Sequence, residues 1–287
     1  MKRIGIFLAF TFTVTWGMAF TLMGMGGTAS PYALLVFALF MLVPGLGVVF
    51  TRLVTREGFR DLWLVPHFRG NVKWYVAAWL IPPAAIALGA ALYFILFPAQ
   101  FDSNLSSVAI IAAQGGVSIP PVLYLLLICA QSILLAPILN AVTCLGEEFG
   151  WRGYLLPHLC DKMGRLPAAL LTGAIWGVWH APMIAMGHNY GVGYAGFPWL
   201  GIAAFIVYCT VVGGFFALIT LKTRSCLPAT FAHGAMNGFA AISVYLTVGT
   251  PSPFIGPLPV GIVGGSFFLL CGIISIIILS KEKKNAV

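Results

Sequence analysis

Eight long apolar runs, separated by short stretches rich in glycine, proline or charged residues, make up most of this chain. Each run is close to the roughly 20 residues that an α-helix needs to cross the hydrocarbon core of a bilayer. The pattern predicts an all-α polytopic membrane protein with about eight transmembrane helices, folded as a single integral membrane domain over residues 1–287. The expected spans are 4–26, 32–53, 74–97, 122–146, 166–186, 198–221, 228–248 and 259–280.

Composition narrows the class of protein further. The 287 residues are 60% hydrophobic and 8% charged, with a mean hydropathy of +1.00. A soluble domain is about half apolar and about a quarter charged, so a water-soluble globule is excluded, as are disordered, collagen-like and coiled-coil chains. The six cysteines show no CxxC spacing, so no disulfide framework is expected.

The lysines and arginines lie only in alternate connections between the runs. The connections near 27–31, 98–121, 187–197 and 249–258 contain none of the 15, which fall instead within 2–3, 52–73, 152–165, 222–224 and 281–284. The positive-inside rule therefore predicts that both termini are cytoplasmic. Because the net charge of +8 follows this topology, we expect the lipid bilayer as a partner and no nucleic acid. The segment 55–74 mixes arginine with large apolar residues, and either an ordinary loop or a segment lying on the membrane surface would fit.

Two adjacent carboxylates, Glu147 and Glu148, close the fourth apolar run. Carboxylates next to hydrocarbon are costly, so they are a functional hypothesis by default. Glu148 and Arg152 are four residues apart on one helix face and are able to pair, whereas Glu147 points about 100° away. This arrangement predicts a base at Glu147, supported by a Glu148–Arg152 pair. An ion pair at the end of a helix, without catalysis, is the simpler alternative.

Two histidines and an asparagine lie inside other predicted spans. His180 precedes a proline by two residues, and His233 is one helical turn before Asn237. Such residues often only form hydrogen bonds between helices. Their coincidence with the carboxylates favours a polar site, and small-xxx-small spacing beside each motif would let the helices approach closely. The glycine pairs are at 146 and 150, 173 and 177, and 234 and 238. We expect the remaining histidines to have no role in the site; they are His67, His158 and His188.

Other intramembrane proteases do not fit this inventory, because the sequence lacks a pair of aspartates inside the spans and HExxH or GxSxG motifs. The EExxxR motif from Glu147 to Arg152, the aromatic-xxx-His motif ending at His180 and the HxxxN motif from His233 to Asn237 resemble the CAAX-protease and bacteriocin-processing (abortive-infection) family. That family includes the eukaryotic type II CAAX prenyl endopeptidases. The similar region runs from about 120 to 248, and it departs from the family pattern at Trp176, where phenylalanine is usual.

The resemblance implies an intramembrane endopeptidase whose site opens toward the cytoplasm. Glu147 and His180 would activate a water, His233 and Asn237 would form the oxyanion hole, and Glu148 and Arg152 would support them. No cofactor is expected. Zinc held by Glu147, His180 and His233 is the alternative, disfavoured because asparagine is a poor zinc ligand but a good oxyanion donor.

Several properties stay open at this point. The substrate would be a CAAX-type or other membrane-associated peptide, prenylated or not, and we expect the membrane to be a prokaryotic plasma membrane. A non-catalytic scaffold or immunity factor of the same fold is the main rival, and a small transporter is the second. Helical rise puts His180 about 21 Å into its span but His233 only about 8 Å into its own. Their depths therefore disagree unless helices are tilted or begin at different levels.

Overall fold

The computed structural model describes residues 2–282, which are mainly helical and contain no β-sheet. The all-α prediction is therefore confirmed. Five helical segments are long and apolar enough to cross a membrane. They are α1 (Lys2–Gly24), α2 (Ala33–Thr55), α3 (Val72–Leu96), the segment Arg165–Ala185, which comprises α9 (Arg165–Trp179) and α10 (Ala181–Ala185), and α11 (Trp199–Thr223). A short helix, α4 (Ser106–Gln114), follows α3 within a connection between spans.

The other three predicted spans are also helical, but they are shorter or broken. Proline accounts for the interruptions of the fourth and the last span, since it lacks the N–H that continues a helix. Pro137 lies where the fourth span breaks, and turns containing Pro257 and Pro259 delay the last helix. The pieces are α5 (Pro121–Leu134), α6 (Ala136–Leu139) and α7 (Ala141–Gly150), then α12 (Leu227–Phe239) and α13 (Ile242–Tyr245), and finally α14 (Ser266–Lys281).

The helix that carries the carboxylates continues well beyond the predicted end of its span. After α7, one π-helical turn, Trp151–Leu155, leads directly into α8 (Leu156–Met163). Counting Arg152 with the charged connection that follows the fourth span was therefore wrong, because its side chain is wholly buried in the bundle. The prediction ended this span too early because charged residues were taken to mark the end of an apolar run. Glu148 and Arg152 instead pair with each other and are buried inside the protein. Single π-turns within helices are frequent at functional sites.

The described lysines and arginines outside the bundle interior gather at one end of the molecule, which we call the cation-rich end. Ion pairs connect its segments: Arg3 lies 3.0 Å from Glu57, and Glu282 pairs with both Arg165 and Lys222. Residues 56–71 form an irregular loop across this end.

The opposite end, which we call the cation-free end, is formed by the remaining connections. Hydrogen bonds join them, from the Thr28 hydroxyl to the Met186 carbonyl (3.4 Å) and from the Asp102 N–H to the Leu246 carbonyl (2.9 Å). The alternation of charged and uncharged connections predicted from the sequence is thus present as two ends of one bundle. That both termini are cytoplasmic remains a prediction from the positive-inside rule.

The glycine pairs beside the three motifs allow close helix approach, as their spacing predicts. A Cβ atom added to Gly177 would lie 2.6 Å from Ile206 Cα of α11, and one added to Gly150 would lie 2.5 Å from Pro44 Cβ of α2. A Cβ atom added to Gly234 would lie 2.9 Å from the carbonyl oxygen of Pro137. Each pair packs the motif helix against a supporting helix rather than against another motif helix.

Candidate active site

A cavity of about 310 Å³ lies between α2, α7, α9, α11 and α12. The four residues predicted to be catalytic, Glu147, His180, His233 and Asn237, all line it. Glu147 and His233 are nearly inaccessible, with 2% and 3% of their surface exposed, whereas Asn237 is exposed. The other walls are mainly aromatic and methionine side chains: Phe37, Phe40, Met41, Trp176, Met183, Phe205, Tyr208 and Met236. The structure therefore brings together side chains from three separate helices.

Glu147 is held by a tryptophan of the α9 helix. The indole Nε1–H of Trp176 donates to Glu147 Oε2 over 2.8 Å, and both side chains are buried. This bond leaves the second carboxylate oxygen, Oε1, for a water in the cavity. A phenylalanine at position 176 could pack in the same place but could not donate. The departure from the family pattern therefore adds a hydrogen bond to the predicted base.

His180 is placed where the α9 helix stops and the short α10 helix begins. Pro182 causes the break, because it has no N–H to donate to the carbonyl of Val178. The imidazole Nδ1 lies 2.8 Å from the Trp176 carbonyl oxygen. A carbonyl only accepts, so Nδ1 carries the proton, and Nε2 of the neutral ring is an acceptor.

Glu148 organises the opposite wall. Its Oε1 lies 2.9 Å from Arg152 Nη1 and 2.9 Å from His233 Nδ1, and all three side chains are buried. The guanidinium of Arg152 stacks over the Trp176 ring at 4.3 Å and over the Phe216 ring at 5.0 Å. Glu148 and Arg152 do not line the cavity but fix the orientation of His233, which does.

Asn237 lies one turn beyond His233 on α12, and its Nδ2 is 3.8 Å from the sulfur of Cys144. This long contact holds the amide weakly, so the amide is free to bond to another group in the cavity. A nearby asparagine, Asn140, is structural instead, because its Nδ2 donates to the Gly234 carbonyl over 3.1 Å and ties the break between α6 and α7 to α12.

The structure accounts for the mismatch in depth between the two histidines. His180 is about 22 Å along α9 from Arg165, and Glu147 is about 24 Å from Met163, at 1.5 Å per residue. The α12 helix begins inside the bundle rather than at its surface, because Cys226 is buried and its N–H donates to the Trp63 carbonyl over 2.7 Å. Counting from the start of α12 therefore underestimates the depth of His233.

The cavity contains one histidine that the sequence did not place there. His188 lies on the wall with Asn189, in a loop that folds back so that the His188 N–H donates to the Met183 carbonyl over 3.1 Å. We expected His188 to have no role because it lies in a connecting loop, and it belongs to no sequence motif that would mark it as part of the site. His67 and His158 lie away from the cavity; their Nδ1 atoms are 3.0 Å from the Thr223 carbonyl and 2.8 Å from the Tyr154 carbonyl.

The zinc alternative has little geometric support. Between residues 2 and 282, no group of three or more His, Cys, Asp or Glu side chains is close enough to hold a metal ion. The residues present therefore do not form a ready zinc site, and no step below depends on one.

Comparisons with known proteins agree with the motifs. Residues 129–239, which contain all six predicted site residues, match the family model described as Type II CAAX prenyl endopeptidase Rce1-like. A curated relative, CAAX prenyl protease 2 of Methanococcus maripaludis, is 31% identical over 124 residues. The alignment covers 42% of this chain and 38% of the relative, so the chain spans well under half the length of the protein it matches. The resemblance to the CAAX-protease and bacteriocin-processing family is confirmed for this region.

Proposed function

We propose that this chain, which carries the Rce1-like segment of the CAAX-protease and bacteriocin-processing family, is an endopeptidase that hydrolyses peptide bonds within the membrane. The observation that carries the proposal is the convergence of Glu147, His180, His233 and Asn237 on one cavity. Peptide hydrolysis needs a base that makes a nucleophile and donors that stabilise the oxyanion, and this cavity offers both.

In the proposed mechanism, a water lies between Glu147 Oε1 and His180 Nε2. Glu147 takes a proton from the water as its oxygen attacks the carbonyl carbon of the substrate. The tetrahedral oxyanion then accepts hydrogen bonds from the imidazole of His233 and the amide of Asn237. When the C–N bond breaks, the leaving amine takes the proton from Glu147, so the enzyme returns to its starting state.

The mechanism requires a charged His233. Its Nδ1 already donates to Glu148, so Nε2 can donate to an oxyanion only if the ring is protonated at both nitrogens. The four charged groups then cancel, because Glu147 and Glu148 balance Arg152 and the imidazolium. A site with no net charge is the arrangement that burial in a membrane protein favours. Glu148 and Arg152 are thus positioning residues for His233.

The substrate is a membrane-associated peptide or protein. The name of the Methanococcus relative describes a CAAX prenyl protease, which makes prenylated peptides natural probes. The aromatic and methionine walls suit apolar side chains on either side of the scissile bond.

The experiment compares the purified protein with its Glu147→Gln variant, in mild detergent, on quenched peptides with and without a prenylated CAAX cysteine. Asp161→Asn is the matched control, because it removes an equivalent charge at an exposed position. We expect cleavage by the parent and by Asp161→Asn and none by Glu147→Gln. Equal cleavage by all three would reject Glu147 as the base. Folded protein without any cleavage would favour the scaffold function.

Metal dependence is tested in the same assay. We expect a strong chelator to leave the rate of cleavage unchanged. Loss of activity in chelator that added zinc restores would overturn the metal-free mechanism.

A further inference from the structure

The loop between α10 and α11 presents two polar side chains to the cavity. Gly187, Asn189 and Gly191 in this loop have positive φ angles, of 92°, 66° and 70°. Such angles are uncommon outside glycine, and asparagine adopts them more readily than most residues. Backbone hydrogen bonds fasten the loop, from the His188 N–H to the Met183 carbonyl (3.1 Å) and from the Gly191 N–H to the Gly187 carbonyl (2.9 Å). The turn brings His188 and Asn189 to the cavity wall.

Tyr190 anchors this loop to the rest of the site. Its side chain is buried, its hydroxyl lies 3.4 Å from the Val260 carbonyl oxygen, and its ring stacks on Phe254 with centroids 5.1 Å apart. The ring of Phe205 contacts both the Tyr190 ring, at 6.3 Å, and the His180 ring, at 4.9 Å. The loop is therefore one side chain away from the histidine proposed to bind the water. A peptide bound at His180 would reach the loop within about three residues, since an extended chain rises about 3.3–3.6 Å per residue.

The ring of His188 has no partner that packing alone would supply. Nδ1 of each of the other four histidines lies within 3.0 Å of a protein oxygen. The His188 ring instead lies edge-to-face with Phe37, with centroids 5.7 Å apart. Within residues 2–282, neither its ring nitrogens nor the side-chain amide of Asn189 forms a hydrogen bond to the protein. Polar groups facing a mainly apolar cavity are costly unless water or a ligand satisfies them.

The donors and acceptors of this pair match an uncharged peptide unit. Burial lowers the pKa of His188, so its ring is neutral near neutral pH and offers one donor and one acceptor. The amide of Asn189 also offers both. Among residues 2–282, no lysine or arginine lines the cavity, so a carboxylate of the substrate would find neither cation there. A backbone peptide group has one donor and one acceptor, and an extended segment presents such groups along its whole length.

We infer that His188 and Asn189 form a subsite that binds a backbone peptide unit of the substrate within about three residues of the scissile bond. The inference rests on the proposed peptidase function and adds two substrate-binding residues to it. Hydrogen bonds at this subsite hold an extended segment so that its scissile carbonyl lies between Glu147 and the oxyanion donors. Because the subsite reads the backbone, preference for particular side chains is left to the apolar walls.

The first test uses variants that separate hydrogen bonding from packing. His188→Phe keeps an aromatic ring against Phe37 but removes both nitrogens, whereas His188→Gln keeps a donor and an acceptor without the ring. Asn189→Gly keeps the positive φ angle but removes the amide. We expect His188→Phe and Asn189→Gly each to raise KM for a quenched peptide by about 2–10-fold, the size of one net hydrogen bond, with little change in kcat. His188→Gln should stay closer to the parent than His188→Phe.

The control for a change within the loop is Val192→Ala, because Val192 is exposed in the same connection and does not line the cavity. Its KM should equal that of the parent. An unchanged KM in either His188→Phe or Asn189→Gly would overturn the inference, since the ring or the turn alone would then account for that residue.

A second test changes the substrate instead of the protein. Peptides that are N-methylated at one backbone nitrogen at a time, on either side of the scissile bond, each lose one N–H donor. At one position we expect methylation to raise KM for the parent more than for His188→Phe or Asn189→Gly, because that variant has already lost the partner. Equal effects on the parent and on both variants at every position would overturn the inference.

Binding to an inactive protein separates the inference from the function on which it rests. In the Glu147→Gln protein, adding His188→Phe should raise Kd for a fluorescent peptide by about 2–10-fold. Such binding without any cleavage by the parent would reject the peptidase function and keep the subsite. Cleavage by the parent, with binding that His188→Phe leaves unchanged, would overturn the subsite and keep the peptidase function. Absence of peptide binding to the Glu147→Gln protein would also overturn the subsite.

Discussion

Replacing Arg152 by methionine tests whether the buried charge network holds the site together. The substitution removes the cation but keeps a long apolar side chain between the rings of Trp176 and Phe216. It breaks the 2.9 Å bond between Arg152 Nη1 and Glu148 Oε1. The 2.9 Å hydrogen bond between Glu148 Oε1 and His233 Nδ1 remains. A buried carboxylate then has only the histidine to balance it.

The magnitude follows from the burial of both partners. The Arg152 and Glu148 side chains are 1% and 0% exposed, so solvent does not screen the pair. Removing one partner of a buried ion pair costs about 3–5 kcal/mol, since it leaves the other charge uncompensated. Removing both charges costs much less, because no buried charge is then left without a partner. The loss of the guanidinium also breaks few hydrogen bonds, since Arg152 Nε and Nη2 have no hydrogen-bond partner within residues 2–282. Glu148→Gln combined with Arg152→Met should therefore recover most of the lost stability.

The assay measures the free energy of unfolding in detergent for the parent, both single variants and the double variant, together with the rate of peptide cleavage. We expect the two substitutions to be strongly non-additive, with the double variant more stable than Arg152→Met, because it leaves no buried charge without a partner. The amide oxygen of glutamine can still accept the proton of His233 Nδ1, so the double variant should cleave better than Arg152→Met. Arg69→Met, at an exposed position, is the control for loss of a cation. Additive effects of the two substitutions would refute the network.

Three further predictions concern single contacts. Asn237→Ala removes an oxyanion donor, so kcat should fall by about 10²–10³-fold with little change in KM, measured by steady-state cleavage. Trp176→Phe keeps the ring but removes the donor to Glu147, and should lower the free energy of unfolding by about 1–3 kcal/mol while cleavage remains measurable. Gly177→Ala places a Cβ 2.6 Å from the backbone of Ile206 and should cost about 1–3 kcal/mol of stability, whereas Gly17→Ala, with nothing within 4 Å, should not.

The helical class and the alternation of charged connections were predictable because both depend on composition and period. Long apolar runs have few alternatives to membrane helices. Helix ends were less predictable, because a buried charge looks the same in sequence as a charge in water. Arg152 illustrates this: its place within a helix depends on Glu148, on two aromatic rings and on a π-turn that no local pattern signals.

The site residues were predictable as types but not as a geometry. Spacing predicts that Glu148 can reach Arg152, because both are on one helix. It does not predict that Glu148 also reaches His233, which is 85 residues away, or that the loop at His188 folds over the cavity. Such contacts are set by how the helices pack, and the recessed start of α12 shows how a short shift along one helix changes which residues meet.

Trp176 is the clearest case of a residue whose role follows only from the assembled bundle. In the sequence it is an aromatic residue one turn before His180, and packing alone would explain it. In the structure its indole N–H holds Glu147, its carbonyl oxygen orients His180, and its ring carries the guanidinium of Arg152. The proposed base, the histidine proposed to bind the water and the charge network behind His233 therefore all contact Trp176, through its side chain or its backbone. Because these contacts use different atoms of Trp176, substitutions that keep the ring but remove the N–H separate the orientation of Glu147 from the packing of the site.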